Sequence, residues 1–141
     1  MMRERFLVKS TGANPDAVRL GFKKLLELLG GHSVAVVVVP TLGDLKHTIL
    51  VDVLGPELSI KLIRDREISF PGGKQILLCG QATLKNFRRH DVYLDLWGSK
   101  FSVAELESLP CKAIVMVTWT PEDSVEWERS HDISVIFDES A

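Results

Sequence analysis

A candidate phosphate-binding segment lies near the amino terminus, in the stretch FLVKSTGANPDAVRLGFKKLLELL over residues 6–29. A short apolar strand, a Ser-Thr-Gly turn and an amphipathic helix follow one another there, as in a phosphate-binding loop. In such a loop, glycines turn backbone N–H groups towards the phosphates, a lysine reaches the outer phosphates and a hydroxyl ligates magnesium. Gly12 matches the first glycine of that pattern, but Ala-Val-Arg at residues 17–19 replaces the later Gly-Lys-Ser/Thr. The stretch therefore predicts either a degenerate phosphate loop or an ordinary turn and helix cap.

The helix after this turn has clear signals for its start and its end. Asn14 is a favoured N-cap residue, and Pro15 suits the first helical position. Gly30 and Gly31 follow the last apolar position and are expected to end the helix. The apolar side chains recur with a helical period and predict one buried face. They are Val18, Phe22, Leu25, Leu26 and Leu29.

The strand SVAVVVV, residues 33–39, is apolar and β-branched at nearly every position. A strand with no polar face is typical of a parallel sheet covered by helices on both sides. We therefore expect this strand near the middle of the molecule, with both Val36 and Val37 almost fully buried.

The rest of the chain alternates strands with helical segments. Further strands are predicted at residues 5–9, 68–70, 75–79, 92–97, 113–119 and 133–137. Helical segments are predicted after Pro40-Thr41, where Leu42, Leu45, Ile49 and Val53 keep a helical period, and then at residues 57–64, 101–109 and 121–129. Residues 83–90 read as a short polar segment. This order predicts a single domain over residues 1–141, a three-layer α/β/α sandwich with a mostly parallel central sheet.

Composition excludes several classes of protein. The net charge of −2 argues against general attraction to nucleic acid or anionic membrane, although it does not exclude a local basic patch. The longest apolar run, residues 34–40, is too short to span a bilayer, so no membrane partner is expected and the predicted location is cytoplasmic. Cys79 and Cys111 lack metal-ligand spacing and are expected to be reduced core thiols. The four histidines are scattered, so neither a metal site nor a cofactor is predicted.

Further segments resemble, in order, the motifs of the first core domain of RecA-like ATPases, in particular helicases and phage terminase large subunits. VVVVPTLGDL, residues 36–45, is similar to the strand that ends in a Pro-Thr turn in that family. ISFPGGKQILLCGQ, residues 68–81, resembles the hairpin before the second motif, and VYLDLW, residues 92–97, resembles that motif itself. VTWTPED, residues 117–123, is similar to the turn that couples hydrolysis to motion.

The resemblance implies a RecA-like scaffold in which hydrolysis has been lost. It gives Asp95 the place of the magnesium-binding aspartate, but Leu96 stands where the family has its general-base glutamate. The lysine that neutralises phosphate charge is also missing. An apolar side chain can perform neither the role of this lysine nor that of the glutamate. If Gly12 and Asp95 share the family's arrangement, they are expected at adjacent strand ends.

A basic cluster follows the predicted hairpin. Lys85, Arg88 and Arg89 surround Phe87, a composition that suits a phosphodiester backbone with a stacked base. The alternative is a solvated loop beside a strand. Nucleic acid thus enters as one candidate partner, with these three basic residues as its candidate ligands.

Two functions from different classes remain open. The first is a non-catalytic binding or interaction module on the degenerate scaffold, with a second copy or another protein as its partner. The second is a small-ligand or nucleotide-binding domain, or an enzyme, that uses the crevice at the carboxyl ends of the strands. Its candidate ligand-binding residues are Gly12, Asn14, Thr41, Asp95 and Thr118.

Overall fold

A central β-sheet organises the chain. The computed structural model describes residues 3–42 and 47–140. The strands of the described part are β1 (Glu4–Lys9), β2 (Val34–Val39), β3 (Glu67–Phe70), β4 (Lys74–Gly80), β5 (Val92–Gly98), β6 (Ala113–Thr118) and β7 (Ser134–Asp138). The α-helices are α1 (Pro15–Leu29), α2 (His47–Leu54), α3 (Pro56–Asp65), α4 (Lys100–Glu107) and α5 (Val125–Ser130). The described part also contains 3₁₀ helices at Gln81–Asn86 and Pro121–Ser124.

The strands form one seven-stranded sheet in the order β3-β4-β2-β5-β6-β1-β7. Among the described strands, only the edge strand β3 runs antiparallel, against β4, across a turn that contains Gly72 and Gly73 at φ of 89° and 80°. The other neighbours pair in parallel. The predicted α/β sandwich with a mostly parallel sheet is therefore confirmed.

Strand β2 lies inside the sheet, between β4 and β5, and separates two cores. Val37 contributes to the core beneath α1, α2 and α3, whereas Val36 contributes to the core beneath α4, α5 and the first 3₁₀ helix. Their exposed fractions are 1% and 0%, so the expectation that both are buried is confirmed. The apolar sequence of β2 follows from this position, because both of its faces are removed from water.

A carboxylate at the end of α4 joins three elements. Glu107 accepts hydrogen bonds from Arg3 Nη1 at 2.7 Å, from Arg5 Nε at 2.6 Å and from Trp127 Nε1 at 2.7 Å. Burial alone raises the pKa of Glu107, but the hydrogen bonds from Arg5, Trp127 and Arg3 together lower it to about 2. This carboxylate fixes β1, α4 and α5 to one another.

The structure differs from the sequence predictions mainly at helix ends. The predicted helix over residues 121–129 is a 3₁₀ turn followed by the short helix α5. The polar segment at residues 83–90 contains most of the other 3₁₀ helix, whose Leu84 is buried in the core. Leu45, one of the apolar positions in the second helical region, lies outside the described residues. Among the described helices, none combines the length and apolar character needed to cross a bilayer.

Candidate ligand site at the carboxyl ends of the strands

The strand order diverges between β2 and β5. The chain leaving β2 passes through α2, α3 and β3 to β4 on one side, whereas the chain leaving β5 passes through α4 to β6 on the other. These connections also cover opposite faces of the sheet. Open α/β sheets bind ligands in the crevice outside the carboxyl ends of strands at such a switch point. The topology thus selects the β2 and β5 ends as a candidate site.

A small cavity of about 50 Å³ lies at this point. Its apolar wall is the end of β2, and its polar wall is the end of β5 with the start of α4. The lining residues are Val38, Val39, Pro40, Gln81, Asp95, Trp97, Ser99 and Ser102. The fold therefore places several hydrogen-bonding side chains in a confined space against an apolar surface.

Among the described residues that line this cavity, Asp95 is the ionisable one, and it is only 1% exposed. Its Oδ2 accepts a hydrogen bond of 2.7 Å from Ser102 Oγ. Burial, helped by the charges of Asp123 and Glu105 and opposed by the Ser102 hydrogen bond, raises the pKa of Asp95 to about 7. Asp95 is in no ion pair among the described residues, so no cationic side chain there compensates the charge of the ionised carboxylate.

Trp97 reaches the cavity through an irregularity in β5. The pairing of β5 with β6 shifts register between Leu96 and Gly98, and Trp97 has a φ of 58°. A positive φ is a genuine outlier for a bulky residue, and bulges near strand ends re-aim side chains. Trp97 is 5% exposed, and its Nε1–H is buried without a hydrogen-bond partner. Its ring meets Trp119, at the end of β6, edge to face with centroids 6.3 Å apart.

The hydroxyl of Thr118 and several groups of the predicted phosphate loop are used within the chain, whereas the buried hydroxyl of Ser10 has no hydrogen-bond partner among the described residues. Gly12, at a φ of 64°, donates its N–H to the carbonyl of Trp119 at 2.8 Å. The hydroxyl of Thr118 accepts from the N–H of Ser10 at 2.9 Å and donates to its carbonyl at 2.7 Å. Thr118 therefore clasps β1 to β6.

A carboxylate of the chain itself also lies against the loop. Glu139 accepts from the N–H of Thr11 at 2.7 Å and from its hydroxyl at 2.8 Å. These hydrogen bonds lower the pKa of Glu139. The N–H and hydroxyl of Thr11 thus already bind an anionic group.

Gly12 and Asp95 lie towards the same edge of the sheet, but not at adjacent strand ends. Strand β6 separates β1 from β5. Trp119 bridges the gap, since its carbonyl accepts from Gly12 while its N–H donates to the carbonyl of Gly98 at 3.3 Å. The expectation that Gly12 and Asp95 lie at adjacent strand ends is therefore wrong, although both residues lie at the carboxyl edge of the sheet.

The five candidate ligand residues consequently separate into two groups. Three of them lie at the ends of β1 and β6: Gly12 forms the turn, Asn14 caps α1 and Thr118 joins β1 to β6. Asp95 lines the cavity, and Thr41 is exposed just beyond Pro40 at the end of β2. Sequence reasoning did not include Gln81, Ser99 or Ser102 in the site. The three-residue spacing of Ser99 and Ser102 could have located this wall, because the two serines form the capping box that begins α4.

The basic cluster lies away from this cavity in the connection between β4 and β5. Lys85, Arg88 and Arg89 are exposed, and none of them forms an ion pair within residues 3–42 and 47–140. Phe87 packs against the core beneath α4 and α5. A partly buried Phe87 suits an anchored loop better than a base-stacking platform.

Removal of the Asn14 cap is expected to destabilise the fold moderately. Its Oδ1 accepts from the N–H of Asp16 at 3.0 Å and from that of Ala17 at 3.4 Å, which confirms the predicted N-cap. Asn14→Ala should therefore cost about 0.5–2 kcal/mol of unfolding free energy. Urea denaturation measures this loss. Asn14→Asp serves as the control, since an aspartate keeps the accepting oxygen and should retain most of the stability. Equal losses in both variants would contradict the capping role.

Comparisons of the chain with protein-family models, curated proteins and solved structures found no match. The described residues contain no group of three or more His, Cys, Asp or Glu side chains that could hold a metal ion. Cys79 and Cys111 are buried free thiols, and burial raises the pKa of Cys79 to about 12. The geometry of the carboxyl edge therefore carries the functional argument.

Proposed function

We propose that the protein is a non-catalytic binding or interaction module built on a degenerate RecA-like scaffold that does not hydrolyse ATP. The observation that carries the proposal is the internal use of the loop. Its Gly12 N–H binds the carbonyl of Trp119, and its Thr11 N–H binds Glu139. A triphosphate would have to displace a carboxylate and a main-chain hydrogen bond to approach the loop.

The chemistry of phosphoryl transfer supports the same proposal. Transfer needs cationic groups around the phosphates and a residue that positions the attacking water. Val18 and Leu96 stand where the resemblance would require the lysine and the glutamate. Lys9, at the end of β1, lies 3.3 Å from Glu128 and 3.9 Å from Asp138, so nearby carboxylates already engage its charge.

The RecA-like part of the proposal draws support from the order of motifs and from their placement. The loop after β1, the Pro-Thr turn after β2, Asp95 on β5 and the Thr-Pro turn after β6 belong to parallel strands whose carboxyl ends meet along one edge. Such placement is expected of a scaffold that descends from a nucleotide-binding protein. The absence of the lysine and the glutamate is consistent with a scaffold that kept binding and lost hydrolysis.

The cavity between β2 and β5 favours a second candidate function, a small-ligand site at the same edge of the sheet. Its support is the switch point of the strand order and the buried Asp95, which lines the cavity together with Ser99 and Ser102. This function is compatible with the first, because a binding module without hydrolysis can carry a ligand pocket.

The proposal predicts no magnesium-dependent ATP turnover above a buffer blank. Phosphate release is measured with purified protein, ATP and magnesium, and a thermal-shift experiment with the same mixture tests nucleotide binding. We expect an unchanged melting temperature, because a ligand that binds only the folded state must raise it. ATP turnover that disappears in Asp95→Ala but persists in Glu105→Gln, a variant of an α4 carboxylate outside the cavity, would overturn the proposal.

A further inference from the structure

We propose that the open edge of strand β7 binds an extended segment of a partner protein, which is apolar at its centre and basic at both ends and adds a strand to the sheet. The inference rests on the proposed function, an interaction module, and names the surface of the module and the chemistry of its partner. The unpaired edge of β7, the exposure of its apolar side chains and the acidic residues at its ends support it.

Strand β7 is the last strand of the sheet, and its sequence does not suit that position. It pairs with β1 on one side and with no described strand on the other. An edge strand presents unpaired main-chain N–H and C=O groups, and proteins usually keep such strands short, polar or charged. Val135, Ile136 and Phe137 are instead three consecutive apolar residues, a run typical of strands that are covered on both faces.

The centre of β7 exposes apolar side chains on both faces of the sheet. Val135 lies opposite Leu7, which belongs to the core beneath α4 and α5, and it remains 47% exposed. Ile136 lines a surface groove with α1 on the other face and remains 37% exposed. Ile133 packs against one core and Phe137 against the other, so the ends of the exposed pair are anchored.

The other edge strand, β3, has the ordinary pattern of a sheet edge. Its Ile68 is 2% exposed, whereas Glu67 and Ser69 face solvent. Polar and apolar residues thus alternate in β3, and only one of its faces needs cover. The contrast between the two edges indicates that the sheet is extended at β7 and not at β3.

A bulge in β7 determines which side chains a partner meets. Leu7 and Val8 of β1 are consecutive, but they lie opposite Val135 and Phe137, so Ile136 is the extra residue. Bulges on edge strands re-aim side chains and discourage pairing with arbitrary flat strands. Because the bulged residue lies in the groove beside α1, a partner strand must cover it with an apolar side chain as well as pair with the main chain.

Charge determines what the partner carries at its ends. Asp132 precedes β7, and Asp138 and Glu139 lie at its carboxyl end. Within the described residues Asp132 and Glu139 form no ion pair, and Asp138 has only Lys9 at 3.9 Å. A strand with Lys or Arg at both ends therefore meets opposite charge at both ends of β7.

A second copy of the chain fits this edge less well. In an antiparallel pair of β7 strands, Asp132 of each strand would lie beside the acidic carboxyl end of the other, and like charges that face each other destabilise a sheet. Lys23 and Lys24 of α1 lie beside Ile136, at the middle of β7, and form no ion pair with these acidic residues within the described part. The charges therefore favour a basic partner over a second copy.

A fluorescent peptide of the sequence Lys-Thr-Val-Ile-Val-Thr-Lys is the probe, and fluorescence anisotropy with the full chain measures its affinity. One matched peptide has Glu at both ends. The other is N-methylated at two neighbouring central amides, which removes a donor from each edge of the peptide but keeps its side chains. We expect saturable binding of the Lys-ended peptide and binding at least about tenfold weaker for both matched peptides. No saturable binding of the Lys-ended peptide, or an equal affinity of either matched peptide, would overturn the proposal.

Variants locate the bound peptide. Val135→Lys replaces an apolar contact at the edge by a charge and should weaken binding of the Lys-ended peptide by about tenfold or more. Ile60→Lys is the matched control, because Ile60 of α3 is 45% exposed, close to the 47% of Val135, and its affinity should match that of the unmodified protein. Equal affinities for these two variants would place the peptide elsewhere and overturn the proposal.

Charge reversal at one end of β7 gives a readout that a loss of folding cannot mimic. Asp132→Lys should weaken the Lys-ended peptide and strengthen the Glu-ended one, so the ratio of the two affinities should fall by about tenfold or more. Both peptides are measured on the same variant, and partial unfolding would weaken them equally. An unchanged ratio would contradict the predicted charge complementarity.

Sedimentation measurements test the second copy. We expect the unmodified chain and Val135→Lys to sediment alike, because the edge is assigned to another protein. Dimerisation of the unmodified chain that Val135→Lys abolishes would overturn the proposal, since a second copy would then occupy the edge. ATP turnover would overturn the proposed function without changing the peptide affinities, so the two proposals fail separately.

Discussion

Replacement of Glu107 by glutamine is expected to lower the free energy of unfolding by about 3 kcal/mol, at the lower end of the range for breaking a buried charge pair. The carboxylate and its partners Arg3 and Arg5 are each only 15–17% exposed in their side chains. Glutamine keeps the shape but removes the negative charge, so two guanidinium groups remain without their counterion. Urea denaturation at neutral pH measures the loss.

Glu105→Gln is the matched control for this prediction. Glu105 lies on the same helix and forms no ion pair within the described residues, so its replacement should change the stability by no more than about 0.5 kcal/mol. Similar losses for both variants would show that the effect belongs to α4 in general and not to the carboxylate of Glu107.

The same carboxylate predicts a loss of stability in acid. The pKa of Glu107 is lowered from 4.5 to about 2 in the folded protein, so the unfolded chain binds more protons between these values. Its contribution is therefore complete above about pH 4.5 and is lost as the pH falls towards 2. Glu107→Gln should lose less stability than the unmodified protein across this window. Parallel stability curves for the two proteins would contradict the assignment.

The fold could be predicted from local patterns because the strongest sequence signals specify the same structure that packing in the folded protein requires. An apolar run such as β2 has few stable positions other than the interior of a parallel sheet, and Asn14-Pro15 specifies a helix start on its own. The helix bounds were less predictable. The segment after Pro121 begins as a 3₁₀ turn, and nothing in its apolar period distinguishes the two kinds of helix.

The site could be predicted only in part, because much of it depends on contacts between residues that are distant in sequence. Asp95 could be placed at the end of a strand, but its isolation from cations depends on neighbours that are distant in sequence. The bulge that turns Trp97 into the cavity arises from the register of β5 against β6, which the sequence of β5 does not encode alone. The clasp of Thr118 on Ser10 likewise joins residues 108 positions apart. Residues whose roles depend on such distant contacts need the structure.

Gly98→Ala is expected to be among the most damaging small substitutions in the chain. A Cβ at this position would lie 2.2 Å from Oδ2 of Asp95 and 2.5 Å from its Cγ, well below any normal contact distance. Asp95 is buried and held by Ser102, so its carboxyl group cannot move away freely. We expect a loss of about 1–3 kcal/mol or more, as for other overpacked sites, measured by urea denaturation.

A double-mutant cycle tests whether the clash with Asp95 is the cause. Asp95→Ala removes the atoms that the new methyl group would meet, so adding Gly98→Ala to this background should cost at least about 0.5–1 kcal/mol less than it does alone. Gly31→Ala is the control, because its Cβ would meet only the carbonyl of Leu28 at an ordinary 3.8 Å. Additive losses at positions 95 and 98 would mean that Gly98 is required by the strand bulge itself. Coupled losses would instead show that Gly98 is required because it leaves room for the carboxyl group of Asp95. This carboxyl group is the acceptor that the fold places at the cavity.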